Sequence, residues 1–325
     1  MRNVIECVPN FSEGRDRARI QALVAAMSGI PGAAVLDCHS DADHNRCVIT
    51  LAGEPEAVAE AALSGVGKAA ELIDLTRHAG VHPRIGAADV VPFVPVEGWS
   101  IEQCAALAHR VGRLIWERYR IPVYYYGAAA LRAERVQLEN VRRGQFEGLH
   151  EAVLGFPGRA PDVGGPSLHP TAGAVTVGAR TFLIACNVNL QTTDLSIARK
   201  IASTIRFSDG GLPGVKAMGV ALAQRGIVQV SINLTDFSQT SLALVFDTVR
   251  REAQRYGCAV AGNEIVGLVP SKALESAGGS AALSSVPPAQ ILENRLAAVL
   301  PSLFLMEKAS NEEPFESIRN KGMAH

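Results

Sequence analysis

Cysteine pairs, basic runs and long apolar stretches are all missing from this sequence. No stretch approaches the roughly 20 apolar residues that a bilayer-spanning helix needs, so we expect no membrane partner. No run of lysine and arginine offers nucleic acid a surface, and the formal net charge is only -1. Because no C-x-x-C pair occurs, we predict buried free thiols in a reducing compartment. The six cysteines are Cys7, Cys38, Cys47, Cys104, Cys186 and Cys258.

The remaining composition is that of a globular chain. Hydrophobic residues make up 48% and charged residues 19% of the 325 positions, which is enough apolar material for two modest domains. The opening residues, MRNVIECVPNFSEG, reach Glu6 and Pro9 before an apolar stretch can form. We therefore expect no signal peptide and a cytoplasmic location.

The two halves of the chain repeat one order of strand-like and helical patterns. In the first half, apolar spacing predicts helices at 16–27, 54–75 and 100–118, the last with a capping box at Ser100 and Gln103. Helices at 195–206 and 240–256 and strands at 3–8, 33–38, 46–52, 122–126, 181–189, 215–222, 228–234 and 258–261 complete the prediction.

Each half thus approximates β-α-β-β-α-β. This order predicts an α/β fold of the α+β sandwich type, in which two subdomains each pack helices on one face of a mixed β-sheet. The Gly- and Pro-rich segment 147–175 separates the halves. We expect an N-terminal subdomain at 1–177, a C-terminal subdomain at 178–300 and a flexible tail at 301–325.

The peptide RHAGVHPRIGAADVVPFVPV, residues 77–96, concentrates polar chemistry. His78 and His82 have the spacing of two metal ligands on one helix face, with Asp89 or His44 as a third. Glycine and proline disfavour a continuous helix here, and no H-E-x-x-H motif is present. The acid–base alternative needs only one histidine that passes protons near neutral pH. We favour that role for His82 and a structural role for His78.

A second polar cluster, HSDADHNR, forms the turn at 39–46 between two predicted strands. It is either a solvated hairpin loop or part of a binding site, because Asp37, Asn45 and Arg46 stand at strand ends where side chains are held firmly. Arg46 is able to clamp a carboxylate through two parallel hydrogen bonds.

A third cluster, GGPSLHPTAG, contains glycines that let backbone amides approach a planar or anionic ligand. It matches neither G-x-G-x-x-G nor a Walker loop, so nucleotide phosphate is not supported. A plain domain hinge is the alternative. The residues are Gly164, Gly165, Pro166, Ser167, Leu168, His169, Pro170, Thr171, Ala172 and Gly173.

Several blocks spread over residues 3–300 closely resemble the glutamate formiminotransferase family. The resemblance implies transfer of a formimino group from N-formimino-L-glutamate to N5 of tetrahydrofolate in histidine degradation. It also implies a homodimer, and two subdomains with the folate in a cleft between them. Mammalian relatives carry a fused cyclodeaminase domain, for which this chain is too short, so we expect a separate cyclodeaminase. The blocks are CVPNFSEG, HNR, HPRIGAADVVPFVPV, PVYYYG, GPSLHPTAGAVTVGAR, FLIACNVNL, QVSINLTDF and EIVGLVP.

The resemblance assigns roles to particular residues. It makes His82 the catalytic histidine, and it makes Gly164 to Gly173 the folate-binding segment. Asp37, Asn45 and Arg46 match the family's pattern. Some relatives carry an acidic residue in place of His39, so no role carries over to that side chain.

The chemistry of the implied reaction suggests the remaining roles. Formiminoglutamate has two carboxylates, for which Arg46, Arg84 and Arg206 are candidates. Asp37 or Asp89 is placed to stabilise the cationic formimino group or to orient the catalytic histidine. No metal is expected beside the tetrahydrofolate co-substrate, because no water has to be ionised. Two alternatives remain: a metal-dependent amidase that uses His78, His82 and Asp89, and a non-catalytic folate-binding protein.

Overall fold

The computed structural model describes residues 3–275 and 286–300, so the predicted tail at 301–325 lies outside the described residues. The strands are β1 (Val4–Cys7), β2 (Asn10–Phe11), β3 (Ala33–Asp41), β4 (Arg46–Gly53), β5 (Ala88–Glu97), β6 (Val123–Gly127), β7 (Val175–Ala179), β8 (Ile184–Leu190), β9 (Val215–Leu222), β10 (Ile227–Leu234) and β11 (Val260–Val266). The helices are α1 (Arg17–Met27), α2 (Pro55–Leu72), α3 (Ile101–Tyr119), α4 (Leu138–Val141), α5 (Gln145–Gly155), α6 (Leu195–Ile205), α7 (Leu242–Arg255), α8 (Ser271–Glu275) and α9 (Leu292–Val299).

The N-terminal sheet has seven strands and is mixed, as predicted. β1 and β2 lie one after the other between β4 and β5, and β3 pairs with β4. β7 and β6 continue the sheet beyond β5, and these three strands are parallel. The predicted helices occur here, and α3 begins with the capping box of Ser100 and Gln103. β7 ends at Ala179, two residues past the boundary expected after residue 177.

β5 is a central strand that the sequence pattern did not predict. Its sequence, ADVVPFVPVE, contains two prolines, and proline has no N–H to donate to a neighbouring strand. Pro92 is accommodated beside the gap between β1 and β2, where its carbonyl accepts a hydrogen bond from the Val8 N–H at 3.3 Å. β5 places Asp89 in the buried part of the sheet, where its Oδ1 accepts a hydrogen bond from the Ile85 N–H of the loop that contains His82.

The C-terminal sheet follows the predicted β-α-β-β-α-β order, with β8, α6, β9, β10, α7 and β11 in sequence. The strands lie in the order β11-β8-β10-β9, and every pairing is antiparallel. The prediction of a mixed sheet is therefore wrong for this subdomain. A ferredoxin-like connection explains the difference, because each helix crossover skips one strand and leaves only antiparallel neighbours.

Each sheet has its own hydrophobic core on the face that its helices cover. A third, smaller cluster joins the subdomains, since Leu36 and Ala52 of the N-terminal sheet pack with Leu292 and Leu296 of α9. Arg295 of α9 also donates from Nε to the Leu36 carbonyl at 2.8 Å. The predicted fold class of two α/β subdomains is confirmed.

The cysteines are free, as predicted, but Cys38 is exposed whereas the other five are buried. In the part of the chain that the structure describes, none of the helices combines the length and the apolar character that a membrane crossing requires.

Candidate active site

His82 lies in the loop between α2 and β5. Its Nδ1 is 2.7 Å from the carbonyl oxygen of Pro83, and a carbonyl only accepts hydrogen bonds. Nδ1 therefore carries the proton of the neutral ring, which leaves a lone pair on Nε2. In this tautomer, the unprotonated Nε2 of His82 is available to accept a proton.

The surroundings keep the ring neutral. Burial lowers the pKa of His82 well below its ordinary value, and the positive charges of Arg46 and Arg142 lower it further. Asp89 acts in the opposite direction without reversing the shift. At neutral pH His82 is thus an unprotonated imidazole, which is the form that takes up a proton.

Two arginines share one buried carboxylate beside His82. Asp89 has no exposed surface, and its Oδ2 accepts hydrogen bonds from Arg46 Nη1 at 2.8 Å and from Arg142 Nη2. Its Oδ1 accepts from the Ile85 N–H at 2.9 Å. Burial raises the pKa of Asp89, but the two guanidinium charges outweigh it and bring that pKa to about 2. The cluster has a net charge of about +1 and suits an anionic ligand.

Sequence reasoning missed two members of this cluster. Arg142 follows the short helix α4, in a stretch without any recognised motif, and its buried Nε has no hydrogen-bond partner among the described residues. Asn10 accepts from Arg46 Nε at 3.1 Å and Nη2 at 2.8 Å. Asn10 lies within the CVPNFSEG block, whereas no sequence signal pointed to Arg142.

Arg84 makes its hydrogen bonds within the protein. Its Nη1 and Nη2 donate to Glu147 at 2.8 and 2.7 Å, and its Nε donates to His78 Nδ1 at 3.1 Å. His78 in turn donates from Nε2 to the Asn45 carbonyl at 3.0 Å. Both ring nitrogens of His78 are therefore engaged, and neither is free for a metal. Across residues 3–275 and 286–300, no three His, Cys, Asp or Glu side chains are grouped closely enough to hold a metal ion.

The Asn45 side chain has hydrogen bonds to the His82 loop and to the segment before α1. It adopts a left-handed backbone with φ of 48°. Its Oδ1 accepts from the Gly14 N–H at 3.0 Å, and its Nδ2 donates to the Ala79 carbonyl at 3.0 Å. Both hydrogen bonds are made within the protein.

Asp37 and Arg206 lie apart from this cluster. Asp37 is half-buried on β3, opposite Thr50 of β4. Arg206 follows α6 in the C-terminal subdomain, where it donates to Asp209 at 2.5 Å and to the Ala217 carbonyl at 3.3 Å. Neither side chain has a hydrogen bond to the His82 cluster within the described part of the chain.

The segment 164–173 runs alongside the His82 loop. The Thr171 carbonyl accepts from Leu75 N–H at 2.8 Å, and the Ala172 carbonyl accepts from Ala87 N–H at 2.9 Å. Leu168 and Ala172 are buried in the N-terminal core, whereas Pro166, Ser167 and Pro170 are exposed.

The glycines of this segment have reasons within the fold itself. Gly164, Gly165 and Gly173 have φ of 80°, 103° and 70°, which L side chains rarely adopt. A Cβ at Gly164 would lie 2.4 Å from the Trp116 ring, and one at Gly173 would lie 2.2 Å from the Ile85 carbonyl oxygen. Close approach of a ligand is therefore not needed to explain them.

The C-terminal sheet contributes polar side chains to the same region, and sequence reasoning missed these as well. Gln229 of β10 is fully buried, and its Oε1 is 3.2 Å from His44 Nε2. Lys216 of β9 donates to Glu139 of α4 at 3.0 Å. The His82 cluster thus lies where the two subdomains meet.

Comparisons with known proteins identify the family. The profile "Formiminotransferase domain, N-terminal subdomain" matches residues 4–180, and "Formiminotransferase domain" matches residues 185–281. "Glutamate formimidoyltransferase" of Streptococcus pyogenes serotype M1 is 48% identical over 84% of this chain and 91% of its own length. The protein of that name from Thermoplasma acidophilum is 43% identical over 96% of this chain and 100% of its own length.

A longer relative shows the same similarity over part of its length. "Formimidoyltransferase-cyclodeaminase" of Gallus gallus is 45% identical over 84% of this chain but only 51% of its own length. The two profiles cover both subdomains of this chain, and the chain spans about half the length of this longer relative. On the agreement of both profiles and of these relatives, the chain belongs to the formiminotransferase family.

Proposed function

We propose that this chain transfers the formimino group from N-formimino-L-glutamate to N5 of tetrahydrofolate, which yields 5-formiminotetrahydrofolate and L-glutamate. The residue assignment rests on the state of His82. Its imidazole is neutral, its Nε2 is unprotonated, and the ring lies beside a cluster of net positive charge. Tetrahydrofolate is the co-substrate. A cytoplasmic location, a homodimer and a separate cyclodeaminase partner remain predictions.

The reaction needs one group that first takes and then gives a proton. N5 attacks the formimino carbon, and a tetrahedral intermediate forms as the C=N electrons move to nitrogen. His82 Nε2 accepts the proton that N5 loses, and then donates it to the glutamate nitrogen. The lone pair of the other nitrogen re-forms the C=N bond as the bond between the carbon and the glutamate nitrogen breaks, and the electron pair of that bond leaves with the glutamate nitrogen. Such acid–base catalysis contributes about 10² to 10⁴ in rate.

The positive cluster provides a place for a substrate carboxylate. The three donor nitrogens of Arg46 are bound to Asp89 and Asn10, so its contribution to the ligand is mainly its charge. Arg142 has a buried Nε without a hydrogen-bond partner among the described residues, so it is the better candidate for a direct hydrogen bond.

The other candidates receive supporting or peripheral roles. We propose that Arg84 and Asn45 position the loop, because their polar atoms are bound within the protein. Asp37 is half-buried on β3 and has no hydrogen bond to the His82 cluster among the described residues, so it is left out of the proposed site. Arg206 is left out of the proposed site, because its guanidinium is paired with Asp209.

Tetrahydrofolate is proposed to lie along segment 164–173, with N5 directed towards His82. The support is the pair of backbone hydrogen bonds that fix Thr171 and Ala172 beside the His82 loop. Pro166 and Ser167 are among the exposed residues of this segment, which a ligand is able to reach.

One spectrophotometric assay tests this function. Purified protein is mixed with formiminoglutamate and tetrahydrofolate, with and without a chelator, and 5-formiminotetrahydrofolate and glutamate are measured. We expect both products in equal amounts and no effect of the chelator. A chelator-sensitive release of formamide or ammonia would indicate a metal-dependent amidase, and folate binding without product would indicate a binding protein.

Arg142→Ala is expected to raise the KM for formiminoglutamate at least about tenfold and that for tetrahydrofolate much less, because it removes a carboxylate partner. Steady-state kinetics with each substrate varied measures both constants. The control is Arg143→Ala, since the neighbouring Arg143 is exposed and its side chain has a hydrogen bond only to Asn140 among the described residues. A larger effect on the KM for tetrahydrofolate would place Arg142 on the other substrate.

Ser167→Trp is expected to weaken tetrahydrofolate binding at least about tenfold, or about 1.4 kcal/mol, because it places a large ring where the folate is proposed to lie. Isothermal titration calorimetry measures the affinity, and the melting temperature should hardly change because Ser167 is exposed. Ser196→Trp, at an exposed position of α6, is the control. Unchanged affinity in Ser167→Trp would remove this segment from the site. A Gly165 variant would be ambiguous, because an L side chain would be strained at its φ of 103°.

A further inference from the structure

The catalytic loop rests directly on the turn at residues 43–46. Asn45 Nδ2 donates to the Ala79 carbonyl of the loop at 3.0 Å. At Gly80, a Cβ would lie 2.4 Å from the carbonyl oxygen of His44, so loop and turn are in close backbone contact. Because nothing fits between them, a displacement of the turn displaces the loop.

The side chain of His44 reaches from this turn to the other subdomain. It is 8% exposed, and its Nε2 is 3.2 Å from Gln229 Oε1. The Gln229 Nε2 donates to Asn189 Oδ1 at 3.0 Å and to Glu264 Oε1 at 3.4 Å. Three strands of the C-terminal sheet, β8, β10 and β11, thus hold the partner of His44.

These bonds fix the direction of the contact. A carboxylate only accepts, so Glu264 turns the NH₂ of Gln229 towards itself and leaves Oε1 facing His44. An amide oxygen only accepts, so His44 must carry a proton on Nε2 to bind it. His44 is therefore a hydrogen-bond donor to the C-terminal sheet.

The same ring lies beside the catalytic one. The centroids of His44 and His82 are 5.9 Å apart, and the ring planes are tilted by 38°. His44 consequently contacts the catalytic loop through its backbone, the catalytic ring through its imidazole and the C-terminal sheet through Nε2.

We propose that His44 is a positioning residue through which the C-terminal sheet, by way of Gln229, holds His82 in place. The effects on turnover that this inference predicts rest on the proposed function. The positioning of His82 by His44 is a property of the folded protein, and it can be measured without turnover.

The kinetic test uses His44→Ala, His44→Gln, Gln229→Ala and the double variant His44→Ala/Gln229→Ala. We expect His44→Ala to lower kcat about tenfold while both KM values stay within about threefold, since a displaced catalytic group loses rate more than binding. His44→Gln restores kcat to within about threefold, because the amide NH₂ again donates to Gln229 Oε1. The double variant loses no more than His44→Ala, because both changes break one contact.

The pH profile separates positioning from a merely structural role. Burial lowers the pKa of His82, and Arg46, Arg142 and Asp89 are the charged groups that act on it. Removal of the His44 ring admits water beside His82, so the pKa rises towards its ordinary value. The unprotonated ring is the active form, so the acid limb of kcat/KM moves to higher pH in His44→Ala. A contact that only stabilised the fold would lower the melting temperature and leave this limb in place.

The histidine signals in NMR provide the readout that needs no turnover. In protein labelled with ¹⁵N-histidine, Gln229→Ala is expected to raise the titration midpoint of His82, with His150→Ala as the surface control. An unchanged midpoint, together with unchanged kcat in His44→Ala, would overturn the proposal. Equal inactivity of His44→Ala and His44→Gln would overturn it in favour of an acid–base role for His44. If wild-type protein transfers no formimino group but the midpoint shifts, the proposed function fails and the placement stands.

Discussion

His82→Ala is expected to lower kcat by at least about 10²-fold while tetrahydrofolate binding and the fold stay nearly intact. The variant removes the nitrogen that takes the proton from N5 and gives it to the leaving amine. Among the described residues, the only hydrogen bond of the ring is to the neighbouring Pro83 carbonyl, so little of the hydrogen bonding in the fold depends on it. Steady-state turnover measures the rate, calorimetry the folate affinity, and circular dichroism the fold.

Two other histidines make the result specific. His150→Ala, at an exposed position of α5, should leave kcat unchanged. His78→Ala should lower kcat by less than about tenfold, because His78 supports the loop through Arg84 and Asn45 without carrying the proton. Activity of His82→Ala within a few-fold of wild type would show that another group does the proton transfer, and an equal loss at His78 would revive a shared metal site.

The parts of the fold that follow local rules were predictable. The capping box of α3 and the apolar spacing of α1 and α2 depend on neighbouring residues, and these helices lie where the pattern placed them. β5 was missed because its prolines conflict with local strand preference. Only the gap between β1 and β2, which is a feature of the assembled sheet, makes room for Pro92.

The site residues also fall into two groups, those that local sequence patterns indicate and those that they do not. His82 and Arg46 stand in recognisable polar blocks, so their candidacy could be read from the sequence. Arg142 is 53 residues from its partner Asp89, and Gln229 is 185 residues from His44. The first contact forms within the folded N-terminal subdomain and the second only where the two subdomains meet, and nothing in the local pattern marks either contact.

Asp89→Asn is expected to destabilise the protein far more than the loss of a surface ion pair does. Asp89 has no exposed surface, and it is the counter-charge of Arg46 and Arg142, whose side chains are only 9% and 14% exposed. The substitution keeps the shape of the side chain but leaves two buried guanidinium groups close together without a carboxylate. Breaking a buried ion pair in this way costs about 3–5 kcal/mol of unfolding free energy, measured by urea denaturation.

The exposed ion pair of Glu60 and Arg118 is the control for the buried pairs of Asp89. Glu60 is bound to Arg118 at 2.7 Å, but both side chains are more than 40% exposed. Glu60→Gln should therefore cost less than about 1 kcal/mol. If the two substitutions had similar effects, the buried cluster would be reached by solvent, and its role as a place of concentrated positive charge for the substrate would fail with it.

The pH dependence of this difference tests its electrostatic origin. In the folded protein, burial raises the pKa of Asp89, but the charges of Arg142 and Arg46 bring it down to about 2. An unfolded Asp titrates near about 3.9. A carboxyl whose pKa is depressed in the folded state contributes stability that is complete above the pKa of the unfolded state. That stability is lost as the pH falls towards the pKa of the folded state.

The difference in urea midpoint between wild type and Asp89→Asn should therefore be constant from pH 7 to 5 and become smaller below about pH 4. A gap that stays constant down to pH 3 would mean that shape and hydrogen bonding, not charge, make Asp89 necessary.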